Sequence, residues 1–219
     1  MPDVHSFPIP DPMRTVLLTA FEPFGGQDRN ASLEVACTLA STPGVRLEAV
    51  VLPVVAGACV EVACAAIARV RPDLVLALGQ AGGSPHVRLE DRAVNLDDFG
   101  APDNAGQVLR RQPIVAGGPD VLYAGVEIER VLVEVRRARF AVQHSLSAGR
   151  YVCNHLYYQL LHRRQTVAPN LGVLFVHVPF LPEQIPAGRW MPSLALAEQT
   201  ACVGAVIRAC LAGDLTPSA

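Results

Sequence analysis

The sequence predicts an α/β protein, a three-layer α/β/α sandwich around a mainly parallel, twisted sheet. Strand-like apolar segments alternate with helix-like segments along most of the 219 residues. Segments 73–79 (DLVLALG) and 171–178 (LGVLFVHV) are almost entirely apolar, which is typical of strands covered by helices on both faces. Because neither an internal repeat nor a linker interrupts this order, we expect one domain over 1–219 with loose termini at 1–13 and 213–219.

The individual elements follow from hydrophobic period and from turn residues. Strands are predicted at 14–20, 45–52, 73–79, 140–146 and 171–178, and segment 86–96 is predicted to be extended. Helices are predicted at 31–41, 55–70, 125–138 and 193–211, and a further helix is predicted to begin at a Ser147 cap. Segment 97–119 is rich in Gly, Pro and Asp and predicts a long loop, which in a compact domain usually has a function or forms an interface.

Composition excludes several classes of protein. Hydrophobic residues make up 51% of the chain, charged residues 17%, and the formal net charge is −2. The sequence has no run of basic residues of the kind that binds nucleic acid or a membrane surface. The start of the chain lacks the pattern of a signal peptide. Segment 49–68 is nearly all apolar, but Pro53, Gly57 and Glu61 argue against a membrane span.

The cysteines indicate a reducing compartment. Six cysteines are present, mostly inside helical patterns, and no Cys/His grouping has the spacing of a zinc site. We therefore interpret them as reduced thiols and expect a cytoplasmic protein.

Chemically informative side chains follow the predicted strands. In open α/β sheets the ligand crevice lies at the carboxyl ends of the strands. The residues at these ends are Phe21, Phe24, Gln80, Glu90, Cys153 and His177. We interpret segment 140–178 as a parallel βαβ unit, which would bring Cys153 and His177 to one edge of the sheet.

Cys153 is the candidate nucleophile. It lies in SAGRYVCN, residues 147–154, where Gly149 allows a sharp turn before a helix. The free N–H groups and the dipole of a helix N-terminus favour the thiolate form of cysteine. The four residues Leu156, Tyr157, Leu160 and Leu161 give this helix an apolar face. A buried structural cysteine is the alternative interpretation.

His177 is the geometric candidate for the base, because it ends a strand just before Pro179. His155 is two residues from Cys153 on the helix and points to the other side. His144 and His162 are weaker candidates. A carboxylate should orient the imidazole. We choose Glu90, and its rivals Asp91, Asp97 and Asp98 remain open at this stage.

Two other kinds of site are weakly supported. The loop after Gln80 is Gly-rich, but it has neither the dinucleotide-binding pattern nor the lysine of a phosphate-binding loop. Asp97 and Asp98 with Asp103 and Asn104 lack the glycine and the distal glutamate of a calcium loop. We therefore expect no metal or cofactor.

Five stretches of the chain resemble the pyroglutamyl peptidase I family, the pyrrolidone-carboxylate cysteine peptidases. They are LTAFEPFGG (18–26) with Asn30; GQAGG (79–83); 90–95 with Asp97 and Asp98; PDNAG (102–106); and SAGRYVCN (147–154) with FVHVPFLPEQ (175–184). Their order and separations match the family across about 14–211.

The resemblance implies an activity and a set of site residues. Cys153 would be the nucleophile, His177 the base and then the acid, and Glu90 the group that orients His177. The implied substrate-binding residues are Phe21, Phe24, Asn30, Gln80, Tyr151 and Val152. Phe21 and Phe24 would flank the pyrrolidone ring, Asn30 would support their loop, and Gln80 would lie near the amide. The resemblance also implies peptide substrates with an N-terminal pyroglutamate and a homo-oligomer, a dimer or a tetramer.

The chain departs from the family near Glu90. Arg88 stands where the family commonly has Ser or Thr, and Gly100 stands where it often has Arg. Asp91 and Arg92 replace a basic and an apolar residue, and we expect Asp91 to raise the pKa of Glu90. Two alternative functions follow: a non-catalytic protein that binds small molecules or peptides, or a Cys amidase for another lactam or N-acyl substrate.

Overall fold

The computed structural model describes residues 13–39 and 44–213. The outer parts of the predicted loose termini, 1–12 and 214–219, lie outside the described residues. The elements are β1 (Arg14–Phe21), α1 (Ala31–Thr38), β2 (Val45–Leu52), α2 (Ala58–Val70), β3 (Leu74–Gln80), β4 (Val87–Glu90), β5 (Arg92–Val94), β6 (Val121–Tyr123), α3 (Ile128–Arg137), β7 (Val142–Ser145), α4 (Val152–Val167), β8 (Gly172–Val178), a 3₁₀ turn (Pro182–Gln184) and α5 (Leu196–Leu211).

The central sheet has the strand order β2-β1-β3-β8-β4-β7. The first four strands are mutually parallel. β4 runs antiparallel to β8 and parallel to β7. The mainly parallel α/β fold predicted from the sequence is confirmed, and β4 and β7 make its far edge mixed.

Two hydrophobic layers cover the sheet. Alternate side chains of a strand point to opposite faces, so Val16 and Leu18 of β1 belong to one layer and Leu17 to the other. Helices α1, α3 and α5 pack in the first layer, and α2 and α4 pack in the second. Both faces of the central strands are therefore buried, which explains their unbroken apolar sequences.

The predicted parallel βαβ unit at 140–178 is wrong. β7 and β8 are not neighbours, because β4 lies between them, and β7 runs opposite to β8. Cys153 reaches the edge near His177 through the turn after β7, which folds the chain back over the sheet before α4 begins. Hydrophobic period cannot distinguish these two topologies, since it reports burial and not strand direction.

Several element boundaries also differ from the predictions. The helix predicted to begin at a Ser147 cap begins at Val152, with Tyr151 as its N-cap. Ser147 instead stabilises the preceding turn, where its Oγ accepts a hydrogen bond from the Gly149 N–H at 3.2 Å. Gly149 has a φ of +83°, the left-handed conformation that suits glycine.

The extended segment predicted at 86–96 divides into β4 and β5, which belong to different sheets. β5 pairs with β6, a strand that the sequence pattern did not predict. The apolar segment 49–68 is shared between β2 and α2. Across residues 13–39 and 44–213, every helix is too short or too polar to cross a bilayer.

Candidate active site

The edge formed by the carboxyl ends of β1, β3 and β8 carries a cysteine, a histidine and a glutamate close together. Cys153 is the second residue of α4, and its thiol lies near enough to the His177 ring to raise the pKa of His177. On the other side of the ring, His177 Nδ1 lies 2.7 Å from Glu90 Oε1. Both His177 and Glu90 are buried. The arrangement can withdraw a proton from a thiol and stabilise the imidazolium that results.

The charges of His177 and Glu90 stabilise each other. Burial lowers the pKa of His177, but hydrogen bonds and charge attraction from Cys153 and Glu90 outweigh burial and raise the pKa to about 9. Burial raises the pKa of Glu90, but the hydrogen bond and charge of His177, with help from Ser145 and Arg88, lower it overall. The buried pair therefore favours an imidazolium beside a carboxylate at neutral pH.

The expectation that Asp91 raises the pKa of Glu90 is wrong. Asp91 turns away from Glu90, with one carboxylate oxygen 3.5 Å from His144 Nε2 and the other 3.7 Å from Arg92 Nε. Arg88 is the charged neighbour that contacts Glu90, with Nη2 3.0 Å from Oε1. Adjacent residues of an extended chain point to opposite sides, so Asp91 points away from Glu90, whereas Arg88, two residues before Glu90, points to the same side.

The rival histidine and carboxylates occupy separate places. His155 Nδ1 contacts Asp97 Oδ2 at 2.8 Å, and His155 Nε2 accepts the Gly57 N–H at 3.3 Å. Both nitrogens of His155 are thus engaged away from the thiol. Asp98 lies 3.8 Å from Arg150 at the surface. Among the carboxylates that the sequence left open, Glu90 is the one that the fold places against His177.

The start of α4 offers backbone donors beside the thiol. The first intrahelical hydrogen bond is donated by the His155 N–H to the Tyr151 carbonyl at 3.0 Å. The N–H groups of Val152, Cys153 and Asn154 precede that bond, and the Tyr151 side chain does not cap them. Such donors can stabilise an oxyanion that forms next to the sulfur.

A small, narrow cleft lies beside Cys153. The residues around it are largely apolar, with two carboxamides. They are Phe21, Phe24, Asn30, Val54, Gln80, Tyr151, Val152 and Cys153. The cleft is narrow and its lining is largely apolar, so a group that enters it must be small and flat.

Hydrogen bonds fix the cleft walls. Asn30 caps α1 through its Oδ1, which accepts the Ser32 N–H, while its Nδ2 donates to the Glu22 carbonyl. Asn30 therefore holds the loop that carries Phe24. Gln80 Oε1 accepts the Ala31 N–H at 2.7 Å, which anchors this carboxamide at the same corner.

The loop that the sequence predicted at 97–119 supports the Tyr151 wall of the cleft from behind. The Tyr151 hydroxyl donates to the Pro102 carbonyl at 2.9 Å, and Phe99 packs edge-on against the Tyr151 ring. Asn104 Nδ2 donates to Glu22 Oε1 at 2.8 Å. This loop contributes no helix or strand over 97–119, and its first part packs against Tyr151, which lines the cleft.

Residues 14–212 match the family model described as pyroglutamyl peptidase. This chain belongs to the pyroglutamyl peptidase family. The pyrrolidone-carboxylate peptidase of Levilactobacillus brevis is 40% identical over 195 residues, covering 89% of this chain and 96% of the relative. That of Chromobacterium violaceum is 43% identical over 174 residues, covering 78% and 80%.

Solved structures of the pyroglutamyl peptidase family share the fold. Pyroglutamyl peptidase I from Bacillus amyloliquefaciens superposes with a TM-score of 0.88 at 31% identity, covering 94% of this chain and 99% of the other. Pyrrolidone carboxyl peptidase from Fervidobacterium islandicum gives 0.84 at 38% identity, covering 89% and 96%.

Two supporting residues, Val54 and Asn154, were not singled out from the sequence, and Arg88 was noted only as a departure from the family pattern. Val54 follows β2 and lines the cleft, and the strand-end argument could have found it. The partners of Asn154 are brought close only by the fold, whereas Arg88 lies two residues before Glu90 on one strand, where side chains share a face. No group of three or more His, Cys, Asp or Glu in the described part of the chain could hold a metal ion.

Proposed function

We propose that this chain is a cysteine peptidase that removes N-terminal pyroglutamate from peptides, and that it forms a single catalytic domain. One observation supports it above all: His177 is hydrogen-bonded to Glu90 and lies near Cys153, which lines the small cleft. Family membership supports the same substrate class, since the relatives are named pyrrolidone-carboxylate peptidases.

The reaction is acyl transfer. His177 takes the proton from Cys153, or already holds it as an ion pair with the thiolate, and the thiolate attacks the carbonyl that joins pyroglutamate to the next residue. N–H groups at the start of α4 stabilise the oxyanion. The C–N bond breaks as His177 protonates the leaving amine, and water then hydrolyses the thioester with His177 as the base. Glu90 holds the Nδ1–H of His177 throughout.

Specificity rests on the dryness and size of the cleft. The lactam ring is flat and uncharged, so the rings of Phe21 and Phe24 can flank it and the Gln80 carboxamide can hydrogen-bond to it. Tyr151 and Val152 complete the wall nearest Cys153. An N-terminal glutamate or glutamine would bring an ammonium group into this apolar space without a partner, which costs several kcal/mol.

The test is hydrolysis of a fluorogenic pyroglutamyl amide under reducing conditions by wild type, Cys153→Ala and Cys37→Ala. Cys37 is an exposed free cysteine on α1 and provides the matched control. We expect turnover by wild type and Cys37→Ala, and a fall of about 10³-fold or more for Cys153→Ala. Turnover that survives in Cys153→Ala would mean that the nucleophile is misassigned.

A folded wild type without turnover would contradict the peptidase proposal. The pH-dependent rate of Cys153 alkylation then separates the alternatives. An unreactive thiol favours a binding protein, and a reactive thiol favours a Cys amidase for another lactam or N-acyl substrate.

We further propose a cytoplasmic homo-oligomer, a dimer or a tetramer. Six free cysteines support a reducing compartment. Trp190 is 87% exposed and Tyr123 is 63% exposed, and large aromatic side chains are enriched at protein interfaces. Sedimentation at micromolar concentration should show a species larger than the 23.3 kDa chain, and a single monomer peak would contradict the oligomer.

A further inference from the structure

We propose that Arg88 is a positioning residue of the triad, which holds Glu90 ionised and aligned against His177. This inference rests on the proposed function. It assigns a role to a residue that departs from the family pattern at the position two before Glu90.

The geometry places two cationic groups on one carboxylate oxygen. Arg88 Nη2 lies 3.0 Å and Arg88 Nε 3.3 Å from Glu90 Oε1, the same oxygen that lies 2.7 Å from His177 Nδ1. Arg88 and Glu90 are two residues apart on β4, so their side chains share a face. In the register with β8, Arg88 lies opposite His177. The guanidinium of Arg88 therefore lies beside the His177–Glu90 pair, on the same strand as Glu90.

Arg88 also reaches the turn that leads to the nucleophile. Its Nη2 lies 3.3 Å from the Ser147 carbonyl oxygen, five residues before α4 begins. The Gly149 N–H closes the same turn on Ser147 Oγ. One guanidinium thus connects the carboxylate end of the triad with the segment that positions Cys153.

Among the neighbours of Glu90, His177 and Arg88 are the ones that bring positive charge to the anion, and Ser145 assists as a neutral hydrogen-bonding group. Ser145 of β7 is paired with Glu90 in the sheet and is neutral. The Tyr157 hydroxyl of α4 donates to the Glu90 backbone carbonyl at 2.9 Å, not to the side chain. Asp91 faces Arg92 and His144. In the described residues, Arg88 is the single arginine that pairs with the Glu90 side chain.

Because the Arg88–Glu90 ion pair is largely buried, the loss of one partner strongly affects the other. The Glu90 side chain is fully buried and that of Arg88 is 27% exposed. Removing one charge from a buried ion pair leaves the other poorly compensated. Without Arg88, Glu90 would take up a proton at a higher pH. A protonated Glu90 no longer stabilises the imidazolium or fixes the tautomer of His177.

The experiment compares wild type, Arg88→Met, Arg88→Gln and Arg88→Lys by the pH profile of kcat/KM on a fluorogenic pyroglutamyl amide. The rate of Cys153 alkylation by iodoacetamide is measured over the same pH range. Arg46→Met is the matched control, because Arg46 contacts Glu48 two residues along β2 in the same way at the surface.

For Arg88→Met we expect the acid limb of both profiles to move up by about one pH unit, the size of effect that a neighbouring opposite charge produces. Within that limb the rate falls about tenfold. Arg88→Lys should restore most of the wild-type profile. Arg88→Gln keeps a hydrogen-bond donor without the charge, so it should shift the limb even if Arg88→Met does not fold. Arg46→Met should match wild type.

A purely structural Arg88 would lower thermal stability and leave both pH profiles unchanged in Arg88→Gln and Arg88→Met, and that result would overturn the proposal. Failure of the proposed function would give a different result, the absence of turnover in the wild type itself. A wild type without turnover leaves the alkylation profile of Cys153 as the measure of the Arg88 effect, so the two failures can be told apart.

Discussion

At the scale of single residues, Gly79 is the clearest example of a side chain excluded by the chemistry around it. A Cβ on Gly79 would lie 2.8 Å from the Phe175 ring and 3.1 Å from Cys153 Sγ. The Phe175 ring in turn packs against the His177 ring, with centroids 4.8 Å apart. Gly79 therefore provides the space in which the sulfur and the imidazole meet.

We predict that Gly79→Ala lowers kcat of the proposed peptidase about a hundredfold, since displacing a reacting group by about 1 Å has an effect of that size. Overpacking should also reduce the free energy of unfolding by about 1–3 kcal/mol. Steady-state kinetics and urea unfolding measure both effects.

Gly204→Ala is the matched control for that substitution. Gly204 lies inside α5, and a Cβ there would meet its nearest neighbours at 3.5 and 3.7 Å, ordinary contact distances. It should leave kcat unchanged and raise the free energy of unfolding by about 0.5–1 kcal/mol. Equal kcat values for the two alanine variants would contradict the role given to Gly79.

At the scale of elements, the position of α4 depends on its attachment to β5. The Asn154 side chain accepts the Val94 N–H at 3.0 Å and donates to the Val94 and Leu96 carbonyls at 2.9 and 3.2 Å. Asn154 follows Cys153 directly and is fully buried. One carboxamide thus acts as a strand partner for β5 and fixes the helix that carries the nucleophile.

We predict that Asn154→Ala reduces the free energy of unfolding by about 2–4 kcal/mol, because the Val94 backbone groups lose their buried partner. It should also lower kcat, since α4 is then less firmly positioned. Asn170→Ala, at an exposed turn, should change stability by less than about 0.5 kcal/mol. Urea unfolding of the two variants checks the difference, and similar losses would contradict the anchoring role.

At the scale of the whole molecule, the buried His177–Glu90 pair makes stability depend on pH. The pKa of His177 is raised from its ordinary 6.5 to about 9. Its stabilisation is therefore fully present below about pH 6.5 and is lost as pH rises through about 9. The pKa of Glu90 is lowered, so its contribution is present above its ordinary value and is lost as pH falls through the lowered one.

We predict that wild type loses on the order of 3 kcal/mol of unfolding free energy between pH 6.5 and pH 10 through His177. His177→Gln should lack this part of the pH dependence, because glutamine does not titrate. Denaturant unfolding at several pH values gives the two slopes. Parallel slopes would show that the His177 pKa is not raised by folding.

The α/β class, the order of most strands and helices and the residues at the strand ends could be predicted from the sequence alone, because apolar period and turn residues are local properties; the strand β6 could not. The family resemblance, and with it the candidate residues Cys153, His177 and Glu90, also came from the sequence. Only the folded structure shows that Glu90, and not its neighbour Asp91, contacts His177. The two carboxylates are adjacent in the chain but point to opposite sides.

Tertiary structure also decided the reversed direction of β4 and β7, the start of α4 at Val152, and the contact between Arg88 and Glu90. The hydrophobic period of a strand is the same in either direction. The turn at Gly149 shifts the start of α4 without changing the apolar face of this helix. Pairings such as Asn154 with Val94 join residues 60 positions apart, so only the packed fold could reveal them.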